Sequence, residues 1–232
     1  MITVDNAVSG IGAIGALGTA AYGLVDITKF FGGGVSRLGF GYVRDAVMPY
    51  IGVAAQQGTA FGTEQVVETL RANWMNGMAK PDQKAAARSL IRLMLTPSTA
   101  PLIAAAAGVN AEHLTTAVQN IFNSVPLTDQ DTRVLGAFDV AVGANLDYGY
   151  ERGDQCYRNG ARFVAAVIAI FLAVGGAWLV YGATPRPCGG FCAHWVIYSL
   201  IIGMVATPLA PVAKDLASAL QTAVKAVGAF KR

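Results

Sequence analysis

Two long uncharged runs dominate the alternation of hydrophobic and polar positions. Phe163 to Ala183 reads FVAAVIAIFLAVGGAWLVYGA, and Ala193 to Ala213 reads AHWVIYSLIIGMVATPLAPVA, which carries no charge while His194 is neutral. Each matches the roughly 20 residues that take a helix across a hydrocarbon layer about 30 Å thick. A third uncharged run, Ala7 to Val25 (AVSGIGAIGALGTAAYGLV), follows Asp5 and Asn6, both suited to a helix N-cap. Its glycines would weaken a helix in water. In lipid they let backbones approach closely, and Gly12, Gly15 and Gly18 form one narrow strip for helix packing. Met1 to Asn6 lacks the basic residues of a secretory leader, so this run reads as a first transmembrane helix rather than a cleaved peptide, a buried hairpin or a surface-lying segment.

Between the first and second runs the pattern changes to short helical periods. Breaks at Gly58, Lys80–Pro81, Pro97, Pro101, Asn110 and Pro126 leave expected helices over 41–57, 63–79, 82–95, 98–108, 110–123 and 129–150. Thr63 with Glu64, Pro81 with Asp82, and Thr128 ahead of Asp129 and Asp131 mark helix starts, placing acids at the positive end of the helix dipole. Apolar residues recur at helical spacing: Val66, Leu70 and Trp74; Leu90, Leu93 and Met94; Leu114, Val118 and Ile121. No stretch alternates like a strand. Beyond the third run, Pro208 and Pro211 should kink or stop the helix. A new one is expected near Pro211, whose residues Leu216, Leu220, Val224 and Val227 form an apolar stripe suited to a membrane surface or a neighbouring subunit.

The expected fold is therefore an all-α integral membrane protein, with about three transmembrane helices, a helical cytoplasmic region and an amphipathic C-terminal helix. The corresponding segments are 1–31, 32–161, 162–213 and 214–232. Composition agrees: mean hydropathy is +0.47 and charged residues make up 13% of the chain, against roughly 25% in a soluble domain. Lys29, Arg37 and Arg44 follow the first run, Arg152, Arg158 and Arg162 precede the second, and Lys214 and Lys225 follow the third, while the intervening loop holds only Arg186. Positive flanks stay inside. This puts the N-terminus outside and the C-terminus in the cytoplasm, with a bacterial inner membrane as the expected location. Trp178, Tyr181 and Trp195 fall where membrane-interface anchors belong, as does Tyr198.

Candidate chemistry is sparse. In CGGFCAH, Cys188 and Cys192 are placed to close a small disulfide loop, in preference to free thiols or to a metal site completed by His194. Cys156 reads as a reduced thiol without a mate. Asp139 in VLGAFDVAVGANL and Asp26 beside Lys29 are acids in apolar surroundings, a setting used by ion sites, but exposure, capping or local pairing explains them more simply. His113 reads as an exposed helix residue. Gly10, Gly12 and Gly15 spell G-x-G-x-x-G, yet within a membrane-length run rather than between a strand and a helix, so helix packing is preferred.

A net charge of +3 without any basic run excludes a nucleic-acid arm, and no catalytic residue, metal or cofactor is expected. Spans without Asp, Glu, Lys or Arg argue against ion-driven transport. Ser9, Thr19, Tyr22, Ser199 and Thr207 remain for helix–helix hydrogen bonds or a passive pore lining. The leading expectation is a non-enzymatic membrane scaffold that assembles through its Gly/Ala-rich first helix with its own copies or with other membrane subunits, in contact with lipid, its cytoplasmic helical region serving partners. An oligomeric passive pore is the alternative.

Overall fold

The computed structural model describes residues 4–28, 33–55, 62–181 and 194–230. Among these, regular structure is entirely helical: α1 (Val4–Thr28), α2 (Phe40–Ala55), α3 (Thr63–Met75), α4 (Lys80–Leu93), α5 (Ala100–Ala107), α6 (Ala111–Phe122), α7 (Asp129–Tyr181) and α8 (His194–Phe230), with a short 3-10 turn over Gly34–Arg37. Three segments, Val8–Thr28, Asp129–Val180 and His194–Val212, belong to helices long and apolar enough to cross a membrane. The chain forms two compact units, Met1–Val35 with Arg158–Arg232, and Ser36–Tyr157.

In the first unit α1 packs on α8. Contact is backbone to backbone: a Cβ on Gly18 would overlap the Ala206 carbonyl oxygen and lie 2.8 Å from the Ala210 Cβ. On another face of α8, a Cβ on Gly203 would lie 2.5 Å from the Ile170 Cα of α7. Such approaches multiply dispersion contacts where water supplies no hydrophobic force. Gly15 is buried as well. Gly12 is not part of this seam, since a Cβ there meets nothing within 4 Å.

The second unit has a conventional apolar core. Val43, Val47, Tyr50 and Ile51 of α2, Val66 and Leu70 of α3, Ile91 of α4, Ile103 of α5, Leu114 and Val118 of α6, and Phe138, Val142, Leu146 and Tyr150 of α7 are buried together. Glycine again permits the tightest crossing. Gly149 of α7 lies against Ala46 and the Tyr42 carbonyl, while Gly39, at φ +92°, faces the Gly153 carbonyl with no room for a Cβ. Positive φ and lack of space both demand glycine at 39. Asn145 donates to the Ala46 carbonyl at 2.8 Å across the same crossing, and Trp74 Nε1 donates to the Ser36 carbonyl at 2.8 Å.

Three sequence expectations change. The break expected between 150 and 163 does not occur, and α7 is continuous through it. Its charged segment contains no proline, and Glu151 and Asp154 are held by Lys80. The helix α8 continues through Pro208 and Pro211 instead of restarting. A proline costs about 3 kcal/mol in a helix interior; here the seam with α1 at Ala206 and Ala210 brackets Pro208 and holds the backbone helical. Within the core, Leu93 and Ile121 are 56% and 50% exposed, and Ile91 takes the inward place on α4.

The start of α7 shows how a local motif joins the unit. Asp131 accepts hydrogen bonds from the Thr128 backbone N–H at 2.9 Å, the Thr128 hydroxyl at 2.8 Å and Asn120 Nδ2 at 3.0 Å. The Asp131 N–H returns a bond to the Thr128 hydroxyl at 3.2 Å, a reciprocal N-terminal cap. These donors, the Thr128 backbone first, hold the Asp131 carboxyl below its ordinary value.

Two predictions follow from this packing. Gly18→Val should lower the thermal midpoint of the detergent-solubilised chain by the equivalent of about 1–3 kcal/mol through overpacking, while Gly12→Val leaves it unchanged; equal midpoints would refute the Gly18 seam. A depressed carboxyl pKa stabilises the fold above the unfolded value of about 3.9 and loses that contribution as pH falls through the folded value. Wild type should therefore melt above Asp131→Asn at neutral pH, and the gap should close once acid has protonated the carboxyl. A pH-independent gap would rule out the charged cap.

Candidate functional site

A cavity of about 540 Å³ opens within the first unit, lined by Tyr22 of α1, Arg162, Phe163 and Ala166 of α7, and Thr207, Pro208 and Pro211 of α8. Its volume is in the range of small-molecule sites. Arg162 is the last charge before the apolar run of α7, so the cavity has one cationic residue and otherwise mainly carbon walls. Thr207 is 4% exposed, and its hydroxyl is buried with no hydrogen-bond partner.

That unpaired hydroxyl is unusual beside its neighbours. Thr19 donates to the Gly15 carbonyl at 2.9 Å and Ser199 to the Trp195 carbonyl at 2.6 Å, each within its own helix. These two are therefore spent locally rather than on bonds between helices. Pro211, lacking an N–H, gives nothing to the Thr207 carbonyl one turn back. Arg162, Phe163, Pro208 and Pro211 are exposed, so the space is an open groove with one cation over carbon surfaces, and the Thr207 oxygen lies behind its wall.

A second polar constellation lies in the other unit, along α4 and α7. Lys80 donates to Glu151 at 3.0 Å and Asp154 at 2.9 Å, Lys84 to Asp147 at 2.7 Å, and Arg92 Nε to Asp139 at 3.0 Å, with a second, shorter contact between the same two groups. The cations stand one helical turn apart and meet acids running the opposite way. The Asp154 carboxylate raises the Lys80 ammonium above its ordinary value against the opposing effect of desolvation, and Asp139 does the same for Arg92. At the remaining turn Arg88 meets Gly143, whose added Cβ would lie 2.8 Å from Nη2. The Arg88 Nε is buried without a partner. Burial alone pushes the Tyr150 phenol up to about 12.

Residues singled out in the sequence are dispersed. Asp139 is ion-paired with Arg92 on another helix, a partner the sequence reading did not name. His113 is exposed and its ring contacts Gln130 Nε2 at 2.9 Å. Trp178 and Tyr198 are 63% and 64% exposed, Trp195 is half-buried, and the Tyr181 side chain lies outside the described residues. So do Cys188, Cys192 and Lys29, and with them the expected disulfide and the Asp26–Lys29 pair. Among the described residues Cys156 is a half-buried free thiol, and no group of three His, Cys, Asp or Glu could hold a metal ion.

Sequence reasoning missed both constellations. For the ladder a signal exists: Lys80, Lys84, Arg88 and Arg92 recur every four residues, and Asp139, Asp147, Glu151 and Asp154 share a long helix. For the cavity the only hint is the Thr-Pro-x-x-Pro spacing at 207–211. Comparison with protein-family models, curated proteins and solved structures finds no match to this chain.

Proposed function

We propose that the chain is a non-enzymatic integral membrane protein that acts as a scaffold, assembling with further copies of itself or as a subunit of a larger membrane complex. Three helices of spanning length support the membrane part of this reading. The basic flanks of the apolar runs support an outside N-terminus and a cytoplasmic C-terminus; an inner membrane of bacterial type is the location proposed with it. A passive pore is less well supported, because Thr19 and Ser199 direct their hydroxyls to their own helices.

The observation that carries the scaffold reading is an apolar tip on the second unit. Ile121, Phe122, Val125 and Leu127 are 50%, 61%, 48% and 42% exposed, although they lie outside every apolar run. The segment is held in shape: Ser124 N–H donates to the Ile121 carbonyl at 3.1 Å and Val125 N–H to the Asn120 carbonyl at 2.8 Å. A preformed row of large apolar side chains is what a partner surface requires. It also moves the expected association surface away from the first helix, since Gly15 and Gly18 are buried within the chain itself.

Native mass spectrometry of the gently extracted protein tests this. Multiple copies, or other chains at fixed ratio, are expected, with Phe122→Asp weakening the assembly at least about tenfold while leaving the melting temperature unchanged. A single bare chain from the native membrane, or an assembly indifferent to Phe122→Asp, would overturn the proposal.

A further inference from the structure

Between α3 and α4 the chain turns over residues 76–79. Asn76 caps the C-terminus of α3 at φ −74° and ψ −4°, its N–H donating to the Ala72 carbonyl. Gly77 follows at φ +68°, a backbone conformation that suits glycine, and open space surrounds the position a Cβ would take. Both residues are exposed. The Asn76 carboxamide makes no hydrogen bond among the described residues, so no bond has to break for its Cγ to swing toward the next backbone nitrogen. Asparagine ahead of glycine is the pair in which that nitrogen is most open to attack on the side chain, because the glycine has no Cβ to shield it. We propose that Asn76–Gly77 is a site of spontaneous modification, in which the asparagine is converted to aspartate and isoaspartate through a cyclic imide.

The Gly77 nitrogen, once solvent base has taken its proton, attacks Asn76 Cγ. A bond forms between them, the Cγ–Nδ2 bond breaks, and Nδ2 leaves as ammonia with a proton from solvent. Water then opens the ring at one of its two carbonyl carbons. Cleavage of the bond to Cγ leaves aspartate; cleavage of the bond to the backbone carbonyl leaves isoaspartate, with the main chain running through the former side chain. Ring closure requires rotation about the Asn76 ψ. Two hydrogen bonds resist it, from the Gly77 N–H to the Trp74 carbonyl and from the Met78 N–H to the Asn73 carbonyl, both 3.2 Å long, at the long edge of the ordinary range. The other Asn–Gly pair, Asn159–Gly160, lies inside α7. There the glycine N–H belongs to the helix ladder, and helix on both sides fixes ψ. The fold thus presents one pair to the reaction and shelters the other.

Conversion alters the joint between the two helices. The new carboxylate stands at the C-terminal end of α3, where the helix dipole is already negative. Isoaspartate also lengthens by one carbon the connection leading to the Met78 carbonyl, which accepts from Gln83 Nε2 at 2.6 Å, and to Lys80, which holds Glu151 and Asp154. The inference concerns the second unit alone and is independent of the scaffold reading.

The test keeps the full chain in detergent at physiological temperature for weeks, at neutral and at mildly alkaline pH. Samples are digested in acid, where the reaction is slow, and read by peptide mass spectrometry after chromatography that separates aspartyl from isoaspartyl forms. The amide-to-acid mass change is expected at Asn76, faster at the higher pH because the attacking nitrogen must lose its proton, with isoaspartate among the products. Asn159 should convert at least about tenfold more slowly, since α7 must open first, and the two sites should convert alike in chain unfolded with urea. Asn76→Gln, whose longer side chain would have to close a larger ring, should keep its amide. Equal rates at Asn76 and Asn159 in the folded chain would overturn the assignment to the turn. Aspartate formed at Asn76 without isoaspartate would mean direct hydrolysis and would overturn the cyclic imide.

Discussion

Backbone against backbone contact is the constraint on which both units depend. At four close approaches a glycine makes room: Gly18 on Ala206 and Ala210, Gly203 on Ile170, Gly149 on Ala46, and Gly39, in the turn ahead of α2, on Gly153. In an apolar solvent there is no hydrophobic gain from hiding a leucine, and small residues pack by dispersion and by exclusion of larger neighbours. The second unit uses the same device and adds what water permits, a buried core of Tyr50, Phe138, Leu146 and Tyr150. Its α2–α7 crossing thus joins two strategies, with glycine setting the separation and aromatic rings filling the space beside it.

Polar groups are distributed according to the same logic. In the first unit the Thr19 and Ser199 hydroxyls bond back to their own helices, which removes them from competition at the seams. Thr207 departs from this economy, its hydroxyl buried without a partner. In the second unit charges are paired across helices and remain mostly solvated. Such pairs each contribute at most about 1 kcal/mol, so the core carries the stability while the charges align its outer face.

Much of the helical layout was legible because its signals are local. Runs without charge declare themselves, and Asn110, Pro81 and the Thr128–Asp131 pair mark helix starts whose caps depend on neighbours a few residues away. What escaped depends on contacts between distant parts of the chain. The joining of the 129–150 helix to the apolar run at Phe163 depends on a distant residue, Lys80, which holds Glu151 and Asp154. The proline pair at 208 and 211 resembled a helix end, because sequence alone does not show α1 docking beside it. A helix face misread by two positions put Leu93 inside in place of Ile91. The cavity was illegible for the same reason, since its lining comes from three helices.

The ladder between α4 and α7 also bears on how this unit finds one arrangement among similar ones. With cations at every turn of α4, sliding that helix by one turn, about 5.4 Å, would still bring Lys84 to Glu151 and Arg88 to Asp147. The electrostatic pattern is therefore nearly degenerate and does not by itself choose a register. Selection must come from contacts that have no repeat: Ala87 and Ile91 in the core, the Tyr150 hydroxyl donating to the Gln83 carbonyl at 3.3 Å, and Gly143 leaving space for one guanidinium at one position. Charge brings the two helices together side by side, and shape decides where they stop.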